Sequence, residues 1–146
     1  MPGAAPDVLG TDGAASNNDL DMFDAMRQAA FLHKLAKMDP KVMPAAQALD
    51  LATRGGAEAL GMGQRIGSLE PGKQADVITV SMDGARQTPV FDPIAQLVYV
   101  NRGSDVRNTV VAGKILMKNG QVTTLRAAEV LRDARAMAER VRSAVR

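Results

Sequence analysis

The sequence contains no cysteine and no tryptophan, a single histidine, one tyrosine and three phenylalanines in 146 residues. Without cysteine it can form neither a disulfide framework nor a thiolate metal site. A zinc centre needs about three protein ligands, and His33 is the one imidazole available. No apolar run approaches the ~20 residues that cross a bilayer. The start, Met1-Pro2-Gly3-Ala4-Ala5-Pro6, has neither the basic nor the apolar region of a signal peptide. A cytoplasmic protein with no membrane partner is therefore expected. Aromatics make up 3% of the chain, so the core must be built from Ala, Val, Leu, Ile and Met.

What is present suits a folded domain. Hydrophobic residues account for 46% and charged residues for 23%, a globular rather than a disordered balance. The formal charge of +2 names no partner. The basic excess lies at the end of the chain, where Arg126, Arg132, Arg135, Arg140, Arg142 and Arg146 face Glu129, Asp133 and Glu139. No aromatics interleave them, as a single-strand-binding surface would require, so a nucleic-acid partner is not expected.

Read along the chain, Met1–Pro6 is small and proline-rich and is expected to be poorly ordered. Val8-Leu9-Gly10-Thr11 predicts a short strand whose edges would need a pairing partner. Asn18 is a candidate N-cap for a helix from about Asp19 to Lys37, in which Leu20, Phe23, Met26, Ala30 and Leu35 share a face. Asp39-Pro40 ends it. Pro44 suits the start of a second helix, Ala45 to about Thr53, and Ala57–Leu60 a third.

After Gly63 the pattern changes. Pro71-Gly72 predicts a turn. Ala75–Val80 reads as a strand covered on both faces, Asp83–Pro93 as a loop, and Leu97–Val100 as another short strand. Val106–Ala112 and Lys114–Met117 flank Ala112-Gly113, and Asn119-Gly120 is a hairpin signal. In the tail, Val130, Ala134, Met137, Val141 and Val145 form an apolar helical stripe that must pack on something, in the core or at a subunit contact.

Asp12 is the main functional candidate. It closes the Val8–Thr11 run and precedes a helix start, and barrel enzymes keep their chemistry at such strand tips. Ser16 and Asn17 follow on the same loop. They can satisfy the helix start, or they can contact substrate or support Asp12. Asp76, Glu70 and Lys73 read as turn residues, and His33 as a helix-surface or packing residue. Gly113, Asn119 and Gly120 are hairpin positions and not a phosphate cradle.

Four stretches in register resemble the C-terminal portion of metal-dependent amidohydrolases. They are Gly10-Thr11-Asp12-Gly13-Ala14-Ala15-Ser16-Asn17-Asn18 with Leu20-Asp21-Met22; Ala48–Thr53 with Gly56–Gly61; Ile66–Val77; and Asp105-Val106-Arg107 through Val111–Lys114 to Asn119-Gly120. The resemblance runs from about Val8 to Ala138. Order and spacing are similar to the cytosine-deaminase-like, chlorohydrolase branch, nearest in pattern to the 5-methylthioadenosine/S-adenosylhomocysteine deaminases.

The resemblance implies an α/β fold. Residues 1–63 would be the last β/α unit and helices of a (β/α)₈ barrel, 64–125 part of the adjoining small β-structure, and 126–146 a C-terminal amphipathic helix. As an isolated fragment the chain would be α+β. The resemblance also implies one divalent metal, zinc or iron, in the full-length enzyme, with Asp12 as ligand and as acceptor of a proton from metal-bound water. A bound cation lowers the pKa of its water towards about 7, and a carboxylate can then pass the proton to a leaving amine.

A complete barrel takes roughly 250 residues, and the His ligands and the catalytic Glu of such enzymes have no counterpart here. The chain alone is therefore expected to bind no metal stably and to be inactive. The parent would deaminate a purine nucleoside, the missing N-terminal barrel portion would be a partner, and a homo-oligomer is possible. The alternative is a non-catalytic packing or oligomerisation module, or a truncated gene product.

Overall fold

The first long helix is set by its two ends. The computed structural model describes residues 8–145, so the Met1–Pro6 start lies outside the described residues. Helix α1 is a single turn, Ala14–Asn17, and α2 spans Met22–Lys37. The expected N-cap moves by three positions. The side chain of Asp21 caps α2 by accepting from the Phe23 N–H at 2.9 Å, while Asn18 closes α1 in the left-handed region, φ 61°. The Gly13–Asn18 segment closes its own turn, so Asn18 is spent as a C-cap. At the other end Lys34 and Lys37 complement the helix dipole, and the Met38 N–H reaches the carbonyls of Lys34 and Leu35.

Helix α3 covers Ala45–Asp50 and runs through a wider π turn, Leu51–Gly55, into α4, Gly56–Ala59. The Gly67 loop passes so close that a Cβ there would lie 2.6 Å from the Ala57 Cβ, and its φ is +94°. Only glycine fits that approach.

Helix α5, Pro93–Tyr99, corrects the strand expected at Leu97–Val100. Four apolar residues in a row carry no period of their own. The start decides: the Asp92 carboxylate accepts from the N–H groups of Ile94 and Ala95 at 2.9 and 3.2 Å, and Pro93 occupies the first turn. Val98 is fully buried as a result.

Phe23, Met26 and Ala30 of α2 pack with Met43, Ala48 of α3 and Val98 of α5 to form the buried core. Polar contacts clamp the same helices. The Arg27 guanidinium donates to the carbonyls of Tyr99 and Asn101 at 3.2 and 2.6 Å. The Lys34 ammonium donates to the carbonyls of Val42 and Met43 and to the Tyr99 hydroxyl, and Phe31 stacks on the Tyr99 ring.

The strands form one antiparallel sheet in chain order: β1 Val77–Val80, β2 Val106–Val111, β3 Lys114–Lys118 and β4 Gln121–Val122. Ala112-Gly113 (φ 48° and 76°) turns β2 into β3, and Asn119-Gly120 (φ 50° and 77°) turns β3 into β4. Both pairs have the two positive φ values of a type I′ hairpin. The Asp76 carboxylate anchors the first turn, accepting from the Ala112 N–H at 2.6 Å, as its reading as a turn residue anticipated.

Two further expectations are corrected. Val8–Thr11 joins no β-ladder among the described residues; Leu9 packs on the helical core. β1 is not covered on both faces, since Ile78 and Thr79 are exposed. The tail helix α6, Ala127–Ala144, has its apolar stripe exposed throughout. Taken together the described residues are a mixed helix and sheet unit. No helix among them is long and apolar enough to cross a membrane.

Candidate functional site

Asp12 stands at the mouth of the α1 turn with a left-handed backbone, φ 58°. A non-glycine residue there carries strain that its neighbours must offset. They do so through the side chain. Asp12 Oδ1 accepts from the Gly13 N–H at 2.7 Å, and Oδ2 accepts from the Ser16 hydroxyl at 2.8 Å. Each oxygen keeps a further lone pair, because a carboxylate accepts at about four positions.

The Ser16 hydroxyl first, and the Gly13 N–H second, hold the Asp12 carboxyl below its ordinary pKa. The group is exposed and ionised at neutral pH. A carboxylate of this kind is ready as a cation ligand and weak as a base.

Asn17 holds the loop itself. Its Nδ2 donates to the Thr11 carbonyl at 2.9 Å and to the Asp19 carbonyl at 3.0 Å, tying the approach to Asp12 to the entry of α2. The structure thus brings Asp12, Ser16 and Asn17 together in one loop. Beside it lies a shallow depression of about 390 Å³, walled by Leu9, Thr11, Ala25, Gln28, Ala29 and Leu32.

Two acids at the entry of α2 complete the frame. Asp19 Oδ1 accepts from the Asp21 N–H at 3.1 Å, and Asp21 Oδ2 accepts from the Gly103 N–H at 2.8 Å. Asp21 was visible only as an acid near a helix start, and its distant partner has no local signature.

His33 sits on the exposed side of α2 with its Nδ1 hydrogen-bonded to the Ala29 carbonyl at 2.8 Å. Among the described residues no three His, Cys, Asp or Glu side chains converge as a metal-binding group. The residues present therefore do not fit a whole metal centre; Asp12 could provide one ligand of it.

Comparison with known proteins gives this loop its context. The model of the amidohydrolase family matches residues 3–116. The chain is 49% identical over 134 residues to a 5-methylthioadenosine/S-adenosylhomocysteine deaminase of Syntrophomonas wolfei, covering 92% of this chain and 31% of that protein. It is 47% identical over 132 residues to a 5'-deoxyadenosine deaminase of Methanosarcina acetivorans, of which it covers 30%.

Among solved structures, an adenosine deaminase from Xanthomonas campestris with bound zinc is similar at a TM-score of 0.90 and 40% identity. The match covers 93% of this chain and 31% of that one. The chain thus spans about a third of the length of the curated relatives it matches. On the extent of the family match and on these identities, the chain belongs to the amidohydrolase family.

Proposed function

We propose that this chain is the C-terminal portion of a metal-dependent aminohydrolase that deaminates an adenine-type nucleoside of the 5-methylthioadenosine or S-adenosylhomocysteine class. The observation that carries the reading is the Asp12 carboxylate, held ionised by Ser16 and Gly13 in a chain 49% identical to a deaminase of that name. Zinc is the metal in the similar Xanthomonas campestris structure; zinc or iron would serve here.

In this reading residues 1–63 belong to the barrel, 64–125 to the adjoining β-structure and 126–146 to the terminal helix. Asp12 is this chain's ligand to the metal, and the other ligands come from polypeptide outside the sequence. Ser16 keeps the carboxylate charged and oriented, and Asn17 keeps its loop closed. A carboxylate with a lowered pKa accepts a proton poorly in water. Its role as proton acceptor therefore depends on the drier surroundings that the remaining two thirds would bring. Alone, the chain is inactive.

A second reading, a non-catalytic packing or oligomerisation module, draws on the wholly exposed apolar stripe of α6. The experiment that separates them is a chimera in which residues 8–138 replace the corresponding third of the Syntrophomonas wolfei deaminase. Ammonia release is then measured from 5-methylthioadenosine, S-adenosylhomocysteine and 5'-deoxyadenosine. Turnover of at least one supports the deaminase reading. A folded chimera that turns over none contradicts it.

A further inference from the structure

Helix α6 is amphipathic, and every residue of Ala127–Ala144 is exposed. Ala134, Met137, Val141 and Val145 lie along its exposed apolar side. Ala127, Val130, Ala134, Met137, Val141 and Ala144 follow each other at alternating steps of three and four, the a/d seam of a coiled coil. We infer that this seam pairs with α6 of a second copy of the chain, in antiparallel orientation.

Three features of the helix are complementary to its own reversal. The first is size. With the two-fold axis between Arg135 and Ala136, Ala134 faces Met137 of the other copy, Val130 faces Val141, and Ala127 faces Ala144. In the central layers Met137 meets the short Ala134, an arrangement that fills a core without voids. A parallel pair would set Met137 against Met137 and Ala134 against Ala134.

The second feature is charge. The positions flanking the seam on one side are Arg126, Asp133 and Arg140; on the other they are Leu131, Ala138 and Val145. Antiparallel pairing joins like sides. Asp133 then meets Arg140 of the other copy twice, once on each side of the axis, and Leu131 meets Ala138. Parallel pairing would instead press Arg126, Asp133 and Arg140 against apolar partners. Flanking charges of this kind set orientation.

Arg140 has no ion pair among the described residues. Asp133 holds only the exposed Arg132, at 3.2 Å, a contact worth little and easily exchanged. The third feature is length. The axis falls at the midpoint of Ala127–Ala144, so the helices overlap over their whole extent.

The test is made on the full chain, which has no native cysteine. Val130→Cys and Val141→Cys are prepared singly. On oxidation their mixture should give a cross-linked dimer, while each alone stays uncrosslinked, because each faces the other in the pair. Light scattering should give twice the chain mass, falling to one at dilution. Asp133→Arg should weaken the dimer at least tenfold, and Asp133→Arg combined with Arg140→Asp should restore it.

All four positions are exposed, so the fold is not at stake, and circular dichroism checks that α6 stays helical. Cross-linking of Val130→Cys with itself would mean a parallel pair and overturn the assignment. A monomer mass at every concentration, with no cross-link in the mixture, would overturn the pairing and leave the face to another occupant, such as the rest of a longer enzyme. None of these readouts depends on Asp12.

Discussion

The carboxylate of Asp21 and the backbone N–H of Gly103 are joined at 2.8 Å across 82 positions of sequence. The same carboxylate caps α2 through Phe23, and the loop bearing Asp12 leads directly into it. A Cβ on Gly103 would stand 3.3 Å from the Asp21 carboxylate, a close contact. One acid thus ties the start of the helical unit to the turn that feeds β2.

Asp21→Ala should lose both the cap and the tie. The expected cost is ~1–2 kcal/mol, read as a lower denaturation midpoint with an unchanged slope. Asp21→Asn should retain part of it, since an amide oxygen still caps. Equal losses in the two variants would contradict the account.

Asp105 predicts how stability depends on pH. Burial works against its charge, but the Arg102 N–H and then the Arg86 guanidinium outweigh burial and hold its pKa below the ordinary carboxylate value. Arg86 Nη2 reaches both oxygens, at 2.9 and 3.1 Å. A carboxylate with a lowered folded pKa stabilises the fold fully above its unfolded value, about 4. That contribution is lost as pH falls through the lower folded value. Thermal stability should therefore be level near neutrality with respect to this group and drop in acid. Asp105→Asn should lower stability at pH 7 by roughly 2–3 kcal/mol and flatten the acid slope. An acid slope unchanged by the substitution would contradict the assignment.

Gly67→Ala should cost roughly 2–4 kcal/mol, from the left-handed backbone and the overlap with the Ala57 Cβ. Gly72, at the same φ of +94° but with nothing within 4 Å of where a Cβ would stand, is the control. Gly72→Ala should lose only the backbone part. Chemical denaturation of the two variants separates crowding from conformation.

Asp76→Ala tests whether that second carboxylate is structural. It should cost ~1 kcal/mol by freeing the Ala112 N–H of the β2–β3 turn, and it should leave the activity of the chimera unchanged once folded. A selective loss of turnover at full stability would move Asp76 into the site.

Much of this was legible in the sequence because it is local. Asn119-Gly120 and Ala112-Gly113 specify hairpins through backbone conformation alone, and the periodicity of Phe23, Met26 and Ala30 marks a buried helix face, though Leu20 and Leu35, read on the same face, are exposed. The loop of Asp12, Ser16 and Asn17 was legible as one unit because its contacts span six positions or fewer. Leu97–Val100 misled because a short apolar run fits helix or strand, and the deciding Asp92 cap lies outside it. Val8–Thr11 misled for the opposite reason: a strand needs a partner, and none is present among the described residues. The ties from Asp21 to Gly103 and from Arg86 to Asp105 join distant segments and leave no pattern in either one.

The central claim is that Asp12 is the contribution of this chain to a metal centre completed by other polypeptide. The most direct measurement is metal content by mass spectrometry, together with ammonia release, for the chimera, its Asp12→Ala variant and this chain alone, each supplied with zinc. The account predicts about one zinc per molecule with turnover in the chimera, loss of turnover by at least a hundredfold and weakened zinc retention in Asp12→Ala, and neither property in the chain alone. Full turnover in Asp12→Ala, or stoichiometric zinc with turnover in this chain alone, would contradict it.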